Sequence, residues 1–131
     1  MKKLTFCTLL IIFTLLSCKE AVDSKINIIS SEEMQTFLKV DDVQLVDVRS
    51  NEDFKKESIP TAQNIDYFSP TFLDDIESLD KTKPVFVYCN TGKRSAKCAK
   101  KMVDAGFTKI YDLDGGISKW KHDGFETNKN N

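Results

Sequence analysis

The run Val85-Phe86-Val87-Tyr88 limits the fold most, because it is the strongest strand signal in the chain and leads directly into a helical pattern. Ser95 through Ala105 reads as a helix stopped by Gly106, so strand and helix are joined by the short loop Cys89 to Arg94. The alternation recurs along the chain. Ile26 to Ile29 reads as a short strand, and Ser30 with Glu33 makes a capping box ahead of Met34, Phe37 and Leu38 at helical spacing. Val43, Leu45, Val46 and Val48 form an apolar run suited to a strand covered on both faces in a parallel sheet. Ser69 before Pro70 predicts a capped helix whose apolar face is Phe72, Leu73, Ile76 and Leu79. A last strand around Ile110 leads into the turn Asp114-Gly115-Gly116 and a short amphipathic segment ending near Trp120. Strands alternating with helices predict an α/β fold, with a central, mostly parallel sheet and helices on both faces.

A chain of 131 residues has room for one core. Its apolar and charged fractions, 40% and 30%, exclude disordered, collagenous and multi-span membrane classes. A formal net charge of -1, with no basic run interleaved with aromatics, excludes nucleic acid as a partner. The first segment stands apart: Lys2 and Lys3 precede the apolar run Leu4 to Leu16, the layout of a secretory signal that is too short to span a bilayer.

That run ends in Leu15-Leu16-Ser17-Cys18, which resembles the lipobox of bacterial lipoproteins, in which the cysteine is lipidated and becomes the new N-terminus. An ordinary secretory signal with a chance cysteine is the alternative. The resemblance implies a signal peptide over residues 1–17, a lipidated N-terminus and short tether over 18–25, a folded domain over 26–125 and a polar tail over 126–131 that frays. Lys19 to Lys25, at about 3.5 Å per residue, reaches some 25 Å, so the domain would sit close to a membrane holding lipid on Cys18. That membrane belongs to a bacterial cell envelope, on its periplasmic side, and Lys19 in place of an aspartate points to the outer membrane. Cys7 leaves with the signal, so only Cys89 and Cys98 remain as thiols of the folded part, too few for a disulfide framework.

In an open parallel sheet the ligand crevice lies beyond the C-terminal ends of the strands, where Cys89-Asn90-Thr91-Gly92-Lys93-Arg94-Ser95 emerges. Unpaired N–H groups and the positive dipole end of the following helix would stabilise a thiolate there. Lys93 and Arg94 add positive charge, the surroundings that lower a thiol pKa from about 8.5 to roughly 3.5–7.5, and Gly92 lets the backbone bend tightly around the sulfur. The plain alternative for Cys89 is a buried strand-end cysteine serving as a small hydrophobe.

The Cys-x-x-Gly-x-Arg-Ser loop after an apolar strand is similar to the active-site loop of the rhodanese family of sulfurtransferases. Leu45-Val46-Asp47-Val48-Arg49 with Glu52 and Phe54 resembles the family's Asp-x-Arg entry motif, and Asp112-Leu113-Asp114-Gly115-Gly116-Ile117 with Trp120 resembles its C-terminal signature. Glu57-Ser58-Ile59-Pro60-Thr61-Ala62 departs from the family's Gly-His-Ile-Pro-Gly-Ala and keeps only Ile59, Pro60 and Ala62. The resemblance implies a single rhodanese-like domain in which Cys89 takes sulfane sulfur from thiosulfate or a persulfide or polysulfide donor, holds it as a persulfide, and passes it to a thiol or cyanide acceptor. Asn90, Thr91, Gly92, Lys93, Arg94 and Ser95 would bind the donor, without cofactor, metal or general base, in a monomer. Asp47, Arg49 and Glu52 would form a structural ion cluster. Related phosphatases and arsenate reductases place five residues between cysteine and arginine; Cys89 and Arg94 have four, a smaller cradle that suits one sulfur atom better than a tetrahedral oxyanion.

The lone histidine, His122, reads as a solvated residue. Cys98 reads as a packed helix cysteine, with a resolving thiol as the sharper alternative, although helical rise sets it beyond the roughly 7 Å Cα limit for bridging Cys89. Lys93, Lys97, Lys100 and Lys101 recur at helical spacing as a solvated face or a docking patch. Two other functions stay open: an envelope binding module that presents a rhodanese-like surface, and a thiol redox protein using Cys89 and Cys98.

Overall fold

The apolar runs read as strands form strands in the computed structural model, which describes residues 24–40 and 42–129. The chain runs β1 (Ile26–Ile29), α1 (Ser31–Val40), β2 (Gln44–Asp47), α2 (Asn51–Lys56), β3 (Glu57–Ser58), β4 (Gln63–Asn64), α3 (Phe72–Asp75), β5 (Val85–Tyr88), α4 (Lys93–Asp104), β6 (Ile110–Leu113), α5 (Gly116–His122) and β7 (Asn128–Lys129). Five strands form one parallel sheet in the order β1-β6-β5-β2-β4. The capping box closes α1 in both directions: Ser30 N–H donates to Glu33 at 2.8 Å and Glu33 N–H to the Ser30 hydroxyl at 3.2 Å.

Helices cover both faces of the sheet, which explains why β5 carries no polar residue. Val85, Val87 and Cys89 face one cluster with Phe72 and Ile76 beside α3 and Cys98 and Met102 of α4. Phe86 and Tyr88 face the other with Met34 of α1 and Ile117 and Trp120 of α5. At roughly 1.5–3 kcal/mol per buried apolar side chain, the central strand is a firm base for the loop it carries.

Three expectations change. The helix after Ser69 is short: Phe72–Asp75 tightens into a 3₁₀ turn over Ile76–Ser78, and the Ser69 hydroxyl accepts from Thr71 N–H at 3.2 Å in a local turn instead of capping. Phe72, Ile76 and Leu79 are buried, but Leu73 lies off that stripe and is 58% exposed. Glu52 leaves the proposed ion cluster and pairs with Lys56 on the surface of α2. The buried pair is Asp47 with Arg49 at 2.6 Å, and the same guanidinium donates to the Glu57 carbonyl at 2.6 Å. The polar tail is exposed but hydrogen-bonded as far as it is described. Asn128–Lys129 pairs antiparallel with Glu57–Ser58, Trp120 Nε1 donates to Glu126 O at 2.8 Å, and Thr127 donates to the Glu57 carboxylate at 2.7 Å. That closure depends on backbone and charge, which hydropathy does not register.

Candidate active site

β5 ends at Tyr88, and the next residue turns inward. Cys89 is 2% exposed, its Sγ directed into the loop that follows. Gly92, with φ 102°, bends that loop back so that its N–H donates to Cys89 Sγ at 3.1 Å. Ser95, buried in the first turn of α4, sets its hydroxyl 3.5 Å from the sulfur and donates to the Gly92 carbonyl at 3.2 Å. The N–H groups of Thr91 and Ser95 also face the sulfur. The arrangement is a ring of donors at a helix start, the geometry that stabilises an anion.

Burial pushes the Cys89 thiol up, but the Ser95 hydroxyl and the N–H groups of Ser95, Gly92 and Thr91 together pull it below its ordinary value. Hydrogen bonds, ahead of the charges of Lys93 and Arg94, lower the thiol. Those cations stand at the mouth. The Arg94 guanidinium lies over the Phe68 ring, 4.6 Å from its centroid, and Lys93 is exposed.

α5 forms the floor of the loop. Its first amides hold the carbonyls, with Ile117 N–H on Cys89 O at 2.9 Å and Ser118 N–H on Asn90 O at 3.0 Å, and the Ser118 hydroxyl donates to Asn90 Oδ1 at 3.0 Å. Gly116, at φ 60°, lies so close that a Cβ there would meet the Asn90 carbonyl at 2.6 Å. The glycine turn read from sequence is therefore a close approach of two backbones as well as a bend.

A cleft of about 330 Å³ opens over the sulfur, lined by Cys89, Asn90, Thr91, Lys93, Arg94 and Lys97 together with Tyr67 and Phe68. The two aromatics come from the loop after β4 and escaped the sequence reading; the only signal was an adjacent aromatic pair in a polar stretch. A larger cleft, about 460 Å³ around Trp120 and Phe125, contains no residue of the Cys89 loop. Cys98 is fully buried, and burial first, then the nearby Asp112 charge, pushes its thiol up to about 12, so it is a packed neutral residue. Lys101 lies over the Tyr67 ring at 4.8 Å, which ties down one member of the lysine row. His122 is exposed on α5. Thr61 takes φ 69° at the position where the family pattern has glycine, so the departure in that motif keeps the backbone conformation. Cys18, the expected lipid site, and the expected signal over residues 1–17 lie outside the described residues.

A parallel α/β sheet with a buried cysteine caged by helix-start amides defines a single-domain α/β protein with its candidate site at the end of β5. The comparisons name its family. Residues 30–123 match the model of the rhodanese-like domain, and the chain belongs to that family. It is 36% identical over 105 residues to the thiosulfate sulfurtransferase GlpE of Coxiella burnetii, covering 78% of this chain and 95% of that protein. A rhodanese-like domain protein from Staphylococcus aureus superposes with a TM-score of 0.65 at 30% identity, over 76% of this chain and 96% of that one. The Alr3790 protein from Anabaena sp., at 21% identity, shares the fold with a TM-score of 0.71 over 77% of this chain and 91% of that one.

Proposed function

We propose that the protein is a rhodanese-type sulfurtransferase that carries sulfane sulfur on Cys89, from thiosulfate or a persulfide or polysulfide donor to a thiol or cyanide acceptor. The observation that carries this reading is the setting of Sγ: the Gly92 amide donates to it at 3.1 Å, the Thr91 and Ser95 amides face it, and the Ser95 hydroxyl lies 3.5 Å away. With thiosulfate, the Cys89 thiolate attacks the outer sulfur, a new S–S bond forms, the donor's S–S bond breaks and sulfite leaves. The persulfide retains one negative charge on its terminal sulfur, and the same amides suit it. Cyanide attacks that terminal sulfur, takes it as thiocyanate and returns the thiolate. The hydrogen bonds that hold the Cys89 thiol below its ordinary value favour the thiolate, the form that attacks without a general base. Lys93, Arg94 and Lys97 at the mouth attract the anionic donor, and Tyr67 and Phe68 form its apolar wall.

The reading places the domain in a bacterial cell envelope, on the periplasmic side, held by lipid on Cys18 after loss of residues 1–17. Leu15-Leu16-Ser17-Cys18 at the end of an apolar run supports it. Intact-mass spectrometry after thiosulfate or polysulfide treatment tests the chemistry. We expect a gain of one sulfur, about 32 Da, that cyanide reverses and that is absent from Cys89→Ser. A protein that takes up no sulfur from any of these donors would be a binding module.

A further inference from the structure

We propose that Phe68 is a specificity-determining residue, which fits the cleft over Cys89 to a carbon-bearing persulfide with an anionic end in preference to thiosulfate. The inference deepens the reading above and rests on Cys89 as the sulfur carrier. It starts from an exposed ring. Phe68 is 70% exposed; Ile28, Val40 and Leu73 are also left to solvent, but only Phe68 lines the cleft that opens over the sulfur. The chain holds it there. Phe68 N–H donates to Asp66 Oδ1 at 2.9 Å, and Tyr67 N–H donates to Val48 O, just after β2, at 3.1 Å. Tyr67 packs T-shaped on the buried Phe72 with ring centroids 5.4 Å apart, and Phe68 packs T-shaped on Tyr67 at 5.2 Å. The aromatic row runs from core to rim, and Phe68 is its outer end.

Arg94 lies over the Phe68 ring, 4.6 Å from its centroid, a contact that fixes the guanidinium at the rim without engaging a carboxylate. Among the described residues Lys93, Arg94 and Lys97 form no ion pair, and no acidic side chain lines the cleft. Three unpaired cations beside an aromatic wall suit a ligand that is anionic at one end and apolar in its body. Thiosulfate meets half of that description. It has no carbon, the cations alone serve its charge, and the face of an aromatic ring carries partial negative charge that disfavours a dianion. The volume agrees, since about 330 Å³ lies within the roughly 300–1,000 Å³ of sites for small organic molecules.

The class of donor is therefore the persulfide of an aliphatic thiol that bears carboxylates and is no larger than a short peptide. Its carbons lie against Tyr67 and Phe68, and its carboxylate meets Arg94 and the lysines. The Cys89 thiolate attacks the terminal sulfur of R–S–SH, a new S–S bond forms, the carrier's S–S bond breaks, and the carrier leaves as its thiolate. The proton stays on the transferred sulfur, so atoms and charge balance without a further reactant.

The test follows the rate at which Cys89 gains one sulfur, by intact mass, from glutathione persulfide and from thiosulfate. Phe68→Ala should slow loading from glutathione persulfide about tenfold, which is about 1.4 kcal/mol of apolar contact, and loading from thiosulfate by no more than about twofold. Phe68→Tyr, which keeps the ring, should recover most of the lost rate. Lys97→Gln should slow glutathione persulfide and speed the cationic persulfide of cysteamine, by about threefold each. Equal falls with glutathione persulfide and thiosulfate in Phe68→Ala would overturn the proposal, as would no fall with the former or Lys97 effects of the same sign on the two persulfides. The Phe68 side chain is mostly outside the core, and loading from thiosulfate checks that each variant is folded. A wild-type protein that loads from no donor sinks the sulfurtransferase reading, whereas one that loads from thiosulfate with no donor-specific role for Phe68 sinks this inference alone.

Discussion

The Cys89 thiol is held below its ordinary value by where a few residues of its loop stand, Ser95 and Gly92 among them. Gly116 is the stricter case: at φ 60° its missing Cβ makes room for the Asn90 backbone, so Gly116→Ala must both strain its own backbone and displace the loop. We expect a loss of at least about 2 kcal/mol in urea unfolding, accompanied by a slower Cys89 alkylation. Unchanged alkylation would mean that the loop does not depend on α5. Asp112 leads to a second prediction, with its sign set by burial. Its folded pKa of about 6 lies above the ordinary aspartate value, so its protonated form favours folding below about pH 4 and that contribution is lost as pH rises through about 6. Asp112→Asn should therefore stabilise the protein relative to wild type above pH 6, by about 1–2 kcal/mol, and bring no gain near pH 4. Parallel urea titrations at the two pH values check it. The sequence displayed Cys89 and its loop plainly, because residue type and local spacing carry them. It did not display Tyr67 or Phe68, which join the cleft only when the loop after β4 is brought beside that loop.

Among the elements, those encoded by local periodicity were readable and those closed by distant polar contacts were not. β5, α4 and the capped start of α1 were readable for the first reason. α3 shortened because its inward stripe is Phe72, Ile76 and Leu79, with Leu73 outside it, so few apolar contacts sustain a longer helix. The charged elements separate in the same way. Asp47 and Arg49 sit at 0% and 8% side-chain exposure, whereas Glu52 and Lys56 sit at 78% and 68%. Arg49→Leu, which leaves Asp47 buried and unpaired, should cost about 3–5 kcal/mol. Glu52→Ala should cost less than about 0.5 kcal/mol. Chemical denaturation of the two variants distinguishes them, and equal losses would restore Glu52 to the cluster. Glu57 ties the C-terminal segment to β3 through Lys121 and Thr127, and those bonds hold its carboxyl below the usual range. Its contribution is present above the ordinary carboxylate pKa and fades as pH falls through the lowered value. Amide exchange in Asn128–Lys129 should therefore quicken in Glu57→Gln at neutral pH and differ little from wild type in strong acid.

For the whole molecule, the direction of the sheet decides what an anchor at Cys18 would do. All five strands of the main sheet are parallel, so β1 begins at the end of the sheet opposite the Cys89 loop, which leaves from the C-terminal end of β5. A strand of four residues advances roughly 13 Å, which separates the entry of the chain at Ile26 from the cleft by at least that length. A lipid on Cys18 would thus join the domain at the end of the sheet remote from its chemistry, and a tether of some 25 Å would leave the cleft with Lys93, Arg94 and Lys97 accessible to dissolved donors. Cys18→Ser, expressed with its native leader in a Gram-negative host, should move the protein from the membrane to the soluble fraction. The rate at which a charged, membrane-impermeant thiol reagent labels Cys89 should remain the same in the two forms. Slower labelling of the membrane-bound form would mean that the cleft faces the lipid, and the donor would then have to arrive along the membrane surface.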